Sequence, residues 1–136
     1  MSPDGRLVRR TGDTPPSPLE VEMKYALLIY SGVAMEAFER LPEDEQKSVM
    51  TEYFAISQEP GVISGEQLQP VSTATTVRVQ DGKTLTTDGP FADTKEVFGG
   101  YYLLEADDLD QAIELAARIP AARMGGLVEV RPVVER

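Results

Sequence analysis

The chain has 136 residues and a formal net charge of −10, and it contains neither cysteine nor histidine. This length corresponds to one domain that can bury a hydrophobic core without disulfides or metal. The missing residue types exclude disulfides, thiol catalysis, histidine general bases and metal sites built on thiolate or imidazole. The acidic balance argues against nucleic-acid binding, which needs a basic surface.

Membrane association is not expected from this sequence. No apolar run reaches the roughly 20 residues that a membrane-spanning helix needs. Residues 1–14 lack the apolar region of a signal peptide. We therefore expect a cytoplasmic protein without a membrane partner.

Residues 1–22 differ in composition from the rest of the chain. They hold four of the ten prolines and almost no large apolar side chains. Such a segment cannot bury enough surface to offset its ordering entropy, so we expect a disordered N-terminal arm. Two origins are open: Met23 is the natural start of the chain, or residues 1–22 are a genuine short tail.

An apolar strand opens the main domain, and a helix follows it. Residues 25–30 form a near-continuous apolar run of strand length. Residues 33–40 are ambiguous, and a short helical turn is the only element they suggest. Pro42 suits the first position of a helix, which is expected to end near Gln58. The predicted apolar face of this helix consists of Val49, Met50, Tyr53 and Phe54.

The middle of the chain predicts short strands joined by a tight turn. Residues 62–65 begin one strand, and residues 73–80 alternate and are rich in Thr and Val, which favours another. Asp81-Gly82 is a strong tight-turn signal. Residues 83–87 are therefore expected to return antiparallel to the strand before them.

Residues 97–106 predict a strongly apolar strand. Gly99-Gly100 at its start suggests a bulge or a close approach of another backbone. Tyr101 and Tyr102 point to opposite faces, so one is expected to pack under a helix and the other can wall a pocket.

A second helix and a last strand complete the chain. Asp108 can cap this helix, with Gln111 completing a capping box. Pro120 ends the helix, and residues 127–133 alternate as the last strand. The predicted inward face of the helix consists of Leu109, Ala112, Ile113 and Ala116.

This order of elements predicts an α+β domain of the ferredoxin-like split βαβ type, with an antiparallel sheet and two helices on one face. The other sheet face still carries large residues and must be buried. In so small a chain, a second copy is the simplest cover, so we expect a homodimer.

The segment of residues 87–104, TDGPFADTKEVFGGYYLL, resembles the signature of the DGPF proteins, a branch of the YCII-related family. Other ordered matches extend the resemblance over about residues 23–133, within a domain assigned to residues 23–136. The resemblance implies a dimeric α/β barrel in which two sheets face each other. Some family members carry a His-Asp pair proposed for acid–base catalysis, which this chain cannot have because it lacks histidine.

Five charged residues are candidate ligand contacts. Asp88 is either a turn residue or a ligand anchor and candidate general base. Lys95 and Glu96 are either a solvated ion pair or part of a cleft. Arg78 and Glu66 are expected on neighbouring strands, where Arg78 is either solvent-facing or paired with Glu66.

Two functions from different classes remain open at this stage. The first is a small-molecule binding protein or enzyme, without metal or nucleotide cofactor. Its cleft would lie between the sheet and the loop that begins at Asp88-Gly89-Pro90-Phe91, called the DGPF loop below. The alternative is a non-catalytic dimeric accessory or regulatory module. The resemblance allows it because DGPF genes often neighbour those of extracytoplasmic-function sigma factors. Whether the protein is an enzyme is not decided by the sequence.

Overall fold

The computed structural model describes residues 23–91 and 96–135. The predicted arm of residues 1–22 therefore lies outside the described residues. The strands are β1 (Met23–Tyr30), β2 (Val62–Gln67), β3 (Thr75–Gln80), β4 (Lys83–Asp88), β5 (Phe98–Ala106) and β6 (Leu127–Pro132). The helices are α1 (Gly32–Glu39), α2 (Glu43–Ser57), α3 (Leu109–Ala117) and α4 (Pro120–Arg123).

The described strands form two antiparallel sheets. Four of them pair in the order β2-β5-β1-β6, and β3 and β4 pair separately as a hairpin. The chain runs from β1 through α1 and α2 to β2, and from β5 through α3 and α4 to β6, which is a split βαβ connectivity. The predicted α+β class with an antiparallel sheet is confirmed. The four described strands form an open sheet and not a closed barrel.

The core lies between the four-stranded sheet and the helices. On β1, Tyr25, Leu27 and Ile29 are buried, because alternate residues of a strand point to the same face. Leu27 is fully buried and pairs with Tyr102 of β5. The helices contribute smaller residues to the same cluster: Ala34, Ile56, Ala112, Leu115, Ala116 and Ala121. All four described helices therefore cover one face, whereas the sequence predicted two.

Helix α1 is longer than the turn that the sequence suggested. Ser31 precedes it without a side-chain cap, so no local start signal was present. The carbonyl groups at the end of α1 receive hydrogen bonds from the next helix. The Gln46 side chain donates to the carbonyl oxygens of Phe38 at 3.1 Å and Leu41 at 3.2 Å. A cap supplied from a separate helix is not readable from the local pattern.

Helix α2 begins one residue later than predicted and ends as predicted. Pro42 occupies the cap position, with φ −58° and ψ 155°, and Gln58 is the C-terminal cap. The predicted apolar face is only partly buried. Val49 is buried, but Met50 is 47% exposed and Phe54 is 66% exposed. These exposed side chains border the cavity described below.

Helix α3 is capped by the predicted residue. The Gln111 N–H donates to Asp108 Oδ1 at 3.0 Å, and Gln111 Oε1 accepts from the Asp107 N–H at 3.1 Å. The reciprocal bond thus goes to the residue before the cap. The predicted inward positions Leu109 and Ile113 were wrong, since they are 46% and 48% exposed. The stripe that packs on the sheet is formed instead by Ala112, Leu115, Ala116 and, beyond the helix, Ile119.

The Asp108 cap leads to a stability prediction. We expect Asp108→Ala to lower the free energy of unfolding by about 1 kcal/mol, because the Gln111 N–H loses its acceptor. Asp108→Asn keeps an oxygen at the same place and should stay within a few tenths of a kcal/mol of the wild type. Urea unfolding measures both. An equal loss in both variants would show that the charge and not the acceptor matters.

Candidate functional site

A cavity of about 640 Å³ lies on the helix-bearing side of the four-stranded sheet. Helix α1 lines it with Met35 and Phe38, and α2 lines it with Met50, Tyr53 and Phe54. Its volume falls within the range of roughly 300–1,000 Å³ that is usual for small-molecule sites. The long, flexible methionine side chains suit a site that adapts to the shape of its occupant.

Two glycines form the floor of this cavity where β2 and β5 meet. A Cβ atom built at Gly65 would lie 2.6 Å from Cδ1 of Tyr102. One built at Gly100 would lie 2.7 Å from the carbonyl oxygen of Glu66. Neither position has room for a side chain, so the backbones approach closely and the Tyr102 ring lies over Gly65. The close approach predicted from Gly99-Gly100 is confirmed.

A bulge in β5 borders the same floor. Ile29 of β1 pairs with Gly100, whereas the next residue, Tyr30, pairs with Phe98, so Gly99 is the extra residue. A bulge bends its strand and re-aims the side chains around it. The predicted bulge is therefore present at the end of β5 that borders the cavity.

Two tyrosines connect the cavity to α2 and α4. The Tyr102 hydroxyl donates to the carbonyl oxygen of Tyr53 at 3.0 Å. Burial raises the pKa of Tyr102 to about 12, with a further contribution from Tyr53. Burial also raises the pKa of Tyr53, opposed by a hydrogen bond to the Ala121 backbone. Both lining phenols are therefore neutral at physiological pH.

A second cleft of about 390 Å³ adjoins the cavity beside the DGPF loop. Pro90 and Phe91 of the loop line it, and Phe91 is 82% exposed. The cleft and the cavity share five lining residues: Leu68, Gln69, Pro70, Val71 and Phe98. The start of the DGPF loop thus borders an extension of the cavity.

The start of the DGPF loop is fixed by β3. The Gly89 N–H donates to the carbonyl oxygen of Ala74 at 2.7 Å, and the Thr76 hydroxyl donates to that of Gly89 at 2.8 Å. Gly89 has φ +94°, in the region that favours glycine. Asp88 ends β4 and is exposed. Its carboxylate makes no hydrogen bond or ion pair with the described residues.

The other predicted site residues lie apart from one another. Arg78 is on β3, which pairs only with β4, and Glu66 is on β2, which pairs with β5. The prediction that their strands are neighbours was wrong. Glu66 is among the residues that line the cavity, and it stands opposite Tyr101, so its side chain points to the sheet face without helices. Glu96 precedes β5, with its Oε1 atom excluded from solvent, and Lys95 lies outside the described residues.

Sequence reasoning assigned the cavity residues to the core or to no element. Met50, Tyr53 and Phe54 were predicted on the apolar face of α2, which is the usual signature of core packing. Met35 and Phe38 fell in the ambiguous segment before it. The only available signal was an excess of large apolar residues over what one sheet face can cover.

These features define a mixed α+β domain with helices on one sheet face and an apolar cavity beneath two of them. The family model of the YCII-related domain matches residues 23–136, and the chain belongs to this family. It is also 36% identical over 117 residues to the uncharacterised protein R00369 of Rhizobium meliloti (strain 1021). That match covers 82% of this chain and 92% of the relative. Among the described helices, none has the length and apolarity needed to cross a membrane.

The buried Tyr102 hydroxyl predicts a pH-dependent stability. Its pKa is about 12 in the folded state and about 10 when unfolded. Its contribution is therefore complete below pH ~10 and is lost as the pH rises toward 12. At pH 8, Tyr102→Phe should be less stable by about 0.5–1.5 kcal/mol, because the Tyr53 carbonyl loses its donor.

Urea unfolding across the alkaline range tests this expectation. The difference between wild type and Tyr102→Phe should shrink as the pH rises above ~10, since only the wild type can ionise at this position. Tyr101→Phe, on the same strand but the opposite face, is the matched control. A difference that stays constant over the whole range would contradict the assignment.

Proposed function

We propose that this protein binds a small, predominantly apolar molecule in the cavity between α1, α2 and the four-stranded sheet. The observation that carries the proposal is the 640 Å³ volume lined by half-exposed methionine and phenylalanine side chains. Phe54 is 66% exposed and Met50 is 47% exposed. Contiguous exposed apolar surface of this kind marks a binding site more often than an incidental surface.

The DGPF loop supplies the polar side of the proposed site. Its Pro90 and Phe91 border the adjoining cleft, and Asp88 precedes them with a carboxylate not used by the described residues. We assign Asp88 and Glu96 to the polar end of the ligand. Arg78 takes no part, because it lies on the separate hairpin. Glu66 lines the cavity floor, although it stands opposite Tyr101.

A second copy of the chain is proposed to cover the sheet face without helices. Leu28 pairs with Tyr101, and Ala26 pairs with Leu103, so four apolar side chains lie together at its centre. A sheet face of this composition is stable when it packs against another layer. Two such faces placed together give the barrel-like dimer that the family resemblance implied. The regulatory alternative linked to sigma factors stays a prediction, because no described feature favours it.

Ligand binding is tested with a neutral apolar dye, N-phenyl-1-naphthylamine, whose fluorescence rises in an apolar site. We expect saturable binding by the wild type and an increase in melting temperature with dye concentration. Met50→Glu places a carboxylate in the cavity wall and should weaken dye binding by roughly 10-fold or more, since charge burial is costly.

The matched control for this variant is Ile113→Glu. Ile113 is 48% exposed, almost the same as Met50, but it lies on α3 and away from the cavity. It should bind the dye like the wild type. Equal loss of binding in both variants, or no saturable binding by the wild type, would reject the proposed site.

Dimerisation is tested by light scattering at micromolar concentration. The wild type should scatter as twice the chain mass of 14.9 kDa. Leu103→Lys places a charge at the centre of the proposed interface and should give a monomer with unchanged circular dichroism. Ile113→Lys, on the outer side of α3, should remain dimeric. A monomeric wild type would exclude the sheet-to-sheet dimer.

A further inference from the structure

We infer that the cavity selects its ligand by charge: it takes organic cations, such as a protonated amine on an apolar body, and excludes organic anions. This inference rests on the proposed function and names the class of molecule bound. It is carried by the charge of the side chains around the cavity and by the rings that line it.

The described lining contains two acidic residues, Glu39 and Glu66, and no basic ones. Neither Lys nor Arg occurs among the described lining residues, whereas Glu39 lines the cavity at the last position of α1. Glu96 and Asp88 lie close in sequence to lining residues of the cavity and the cleft. The arginines that adjoin the lining, Arg40 and Arg123, are each paired with a carboxylate. With a net charge of −10 on the whole chain, a cation gains and an anion loses on entry.

Five aromatic rings line the same cavity. They belong to Phe38, Tyr53, Phe54, Phe98 and Tyr102. A ring face is the negative end of the ring quadrupole, so an ammonium group placed on it is attracted. Both tyrosines stay uncharged because burial raises their pKa, with that of Tyr102 at about 12. Such contacts are compatible with an apolar ligand body, which packs on the same rings.

The first turn of α1 carries partial positive charge, which opposes the preference of the cavity for a cation. Ser31 and Gly32 line the cavity at the N-terminal end of this helix, where the helix dipole is equivalent to roughly half a positive charge. The Ser31 N–H already donates to the carbonyl oxygen of Val97 at 2.9 Å. The N-terminal end of α1 suits a neutral oxygen acceptor of the ligand. Glu39 lies at the C-terminal end of the same helix.

Three probes that share one apolar body but differ in charge test this selection. These are 4-phenylbutylammonium, 4-phenylbutanol and 4-phenylbutyrate, each competed against N-phenyl-1-naphthylamine at pH 7.5. We expect the ammonium compound to bind roughly 5-fold tighter than the alcohol, in line with an exposed cation–π contact and a nearby carboxylate. The carboxylate should bind most weakly of the three.

Glu39→Gln tests the source of the preference. It should remove most of the advantage of the amine over the alcohol and leave the affinity for the alcohol unchanged. Glu114→Gln is the matched control, because Glu114 lies on α3, is exposed, does not line the cavity and makes no ion pair with the described residues. It should keep the full advantage of the amine.

The outcomes distinguish the two proposals. If the alcohol displaces the dye and the amine binds no better, the charge selection is overturned while the apolar site stands. Tightest binding of the carboxylate, or an equal loss of amine affinity in Glu114→Gln and Glu39→Gln, would overturn it as well. If the dye itself shows no saturable binding, the proposed function is rejected and the charge selection falls with it.

Discussion

The close approach of β2 to β5 is the constraint on which the rest of the site depends. It requires glycine at positions 65 and 100, since a Cβ atom at either would lie within 2.8 Å of a neighbouring atom. Without this close approach of the two strands, the Tyr102 ring could not lie over β2, and the Tyr102 hydroxyl could not reach the Tyr53 carbonyl oxygen of α2 at 3.0 Å. The cavity floor, the ring above it and the helix that forms the wall are thus fixed by one backbone contact.

Helix α2 is held along its length by Val49 and Ile56 and by polar contacts, while Met50 and Phe54 lie on the side that lines the cavity. Ile56 is buried near its C-terminal end. Arg123 of α4 holds Glu52 with two hydrogen bonds of 2.8 Å, and Arg118 holds Glu59 at 3.0 Å. The bidentate Arg123–Glu52 contact is more specific in its geometry than a single surface ion pair. Met50 and Phe54 are left over the cavity instead of packing down on the sheet.

Features specified by local sequence were predictable, and features specified by long-range contacts were not. The turn at Asp81-Gly82 needs positive φ at both residues, and their φ angles are +51° and +75°. Asp-Gly is the residue pair typical of such a turn, so the sequence predicts it. The Asp108 cap is equally local. By contrast, the end of α1 depends on Gln46 of another helix, and nothing near β2 in the chain indicates that β5 is its partner. The cavity draws on several elements far apart in the chain, so the sequence located only the loop beside it.

The charges on the uncovered sheet face are compatible with a second copy, although the chain as a whole is acidic. Lys24 stands opposite Glu105, and Arg131 lies on the same face beside Ala26. Glu129 occupies the neighbouring position opposite Leu28. Mixed signs around an apolar centre allow the face to meet a copy of itself without a single-sign repulsion. The cavity differs because its described lining has one sign only, and this contrast separates the face proposed for a second copy from the site proposed for a ligand of opposite charge.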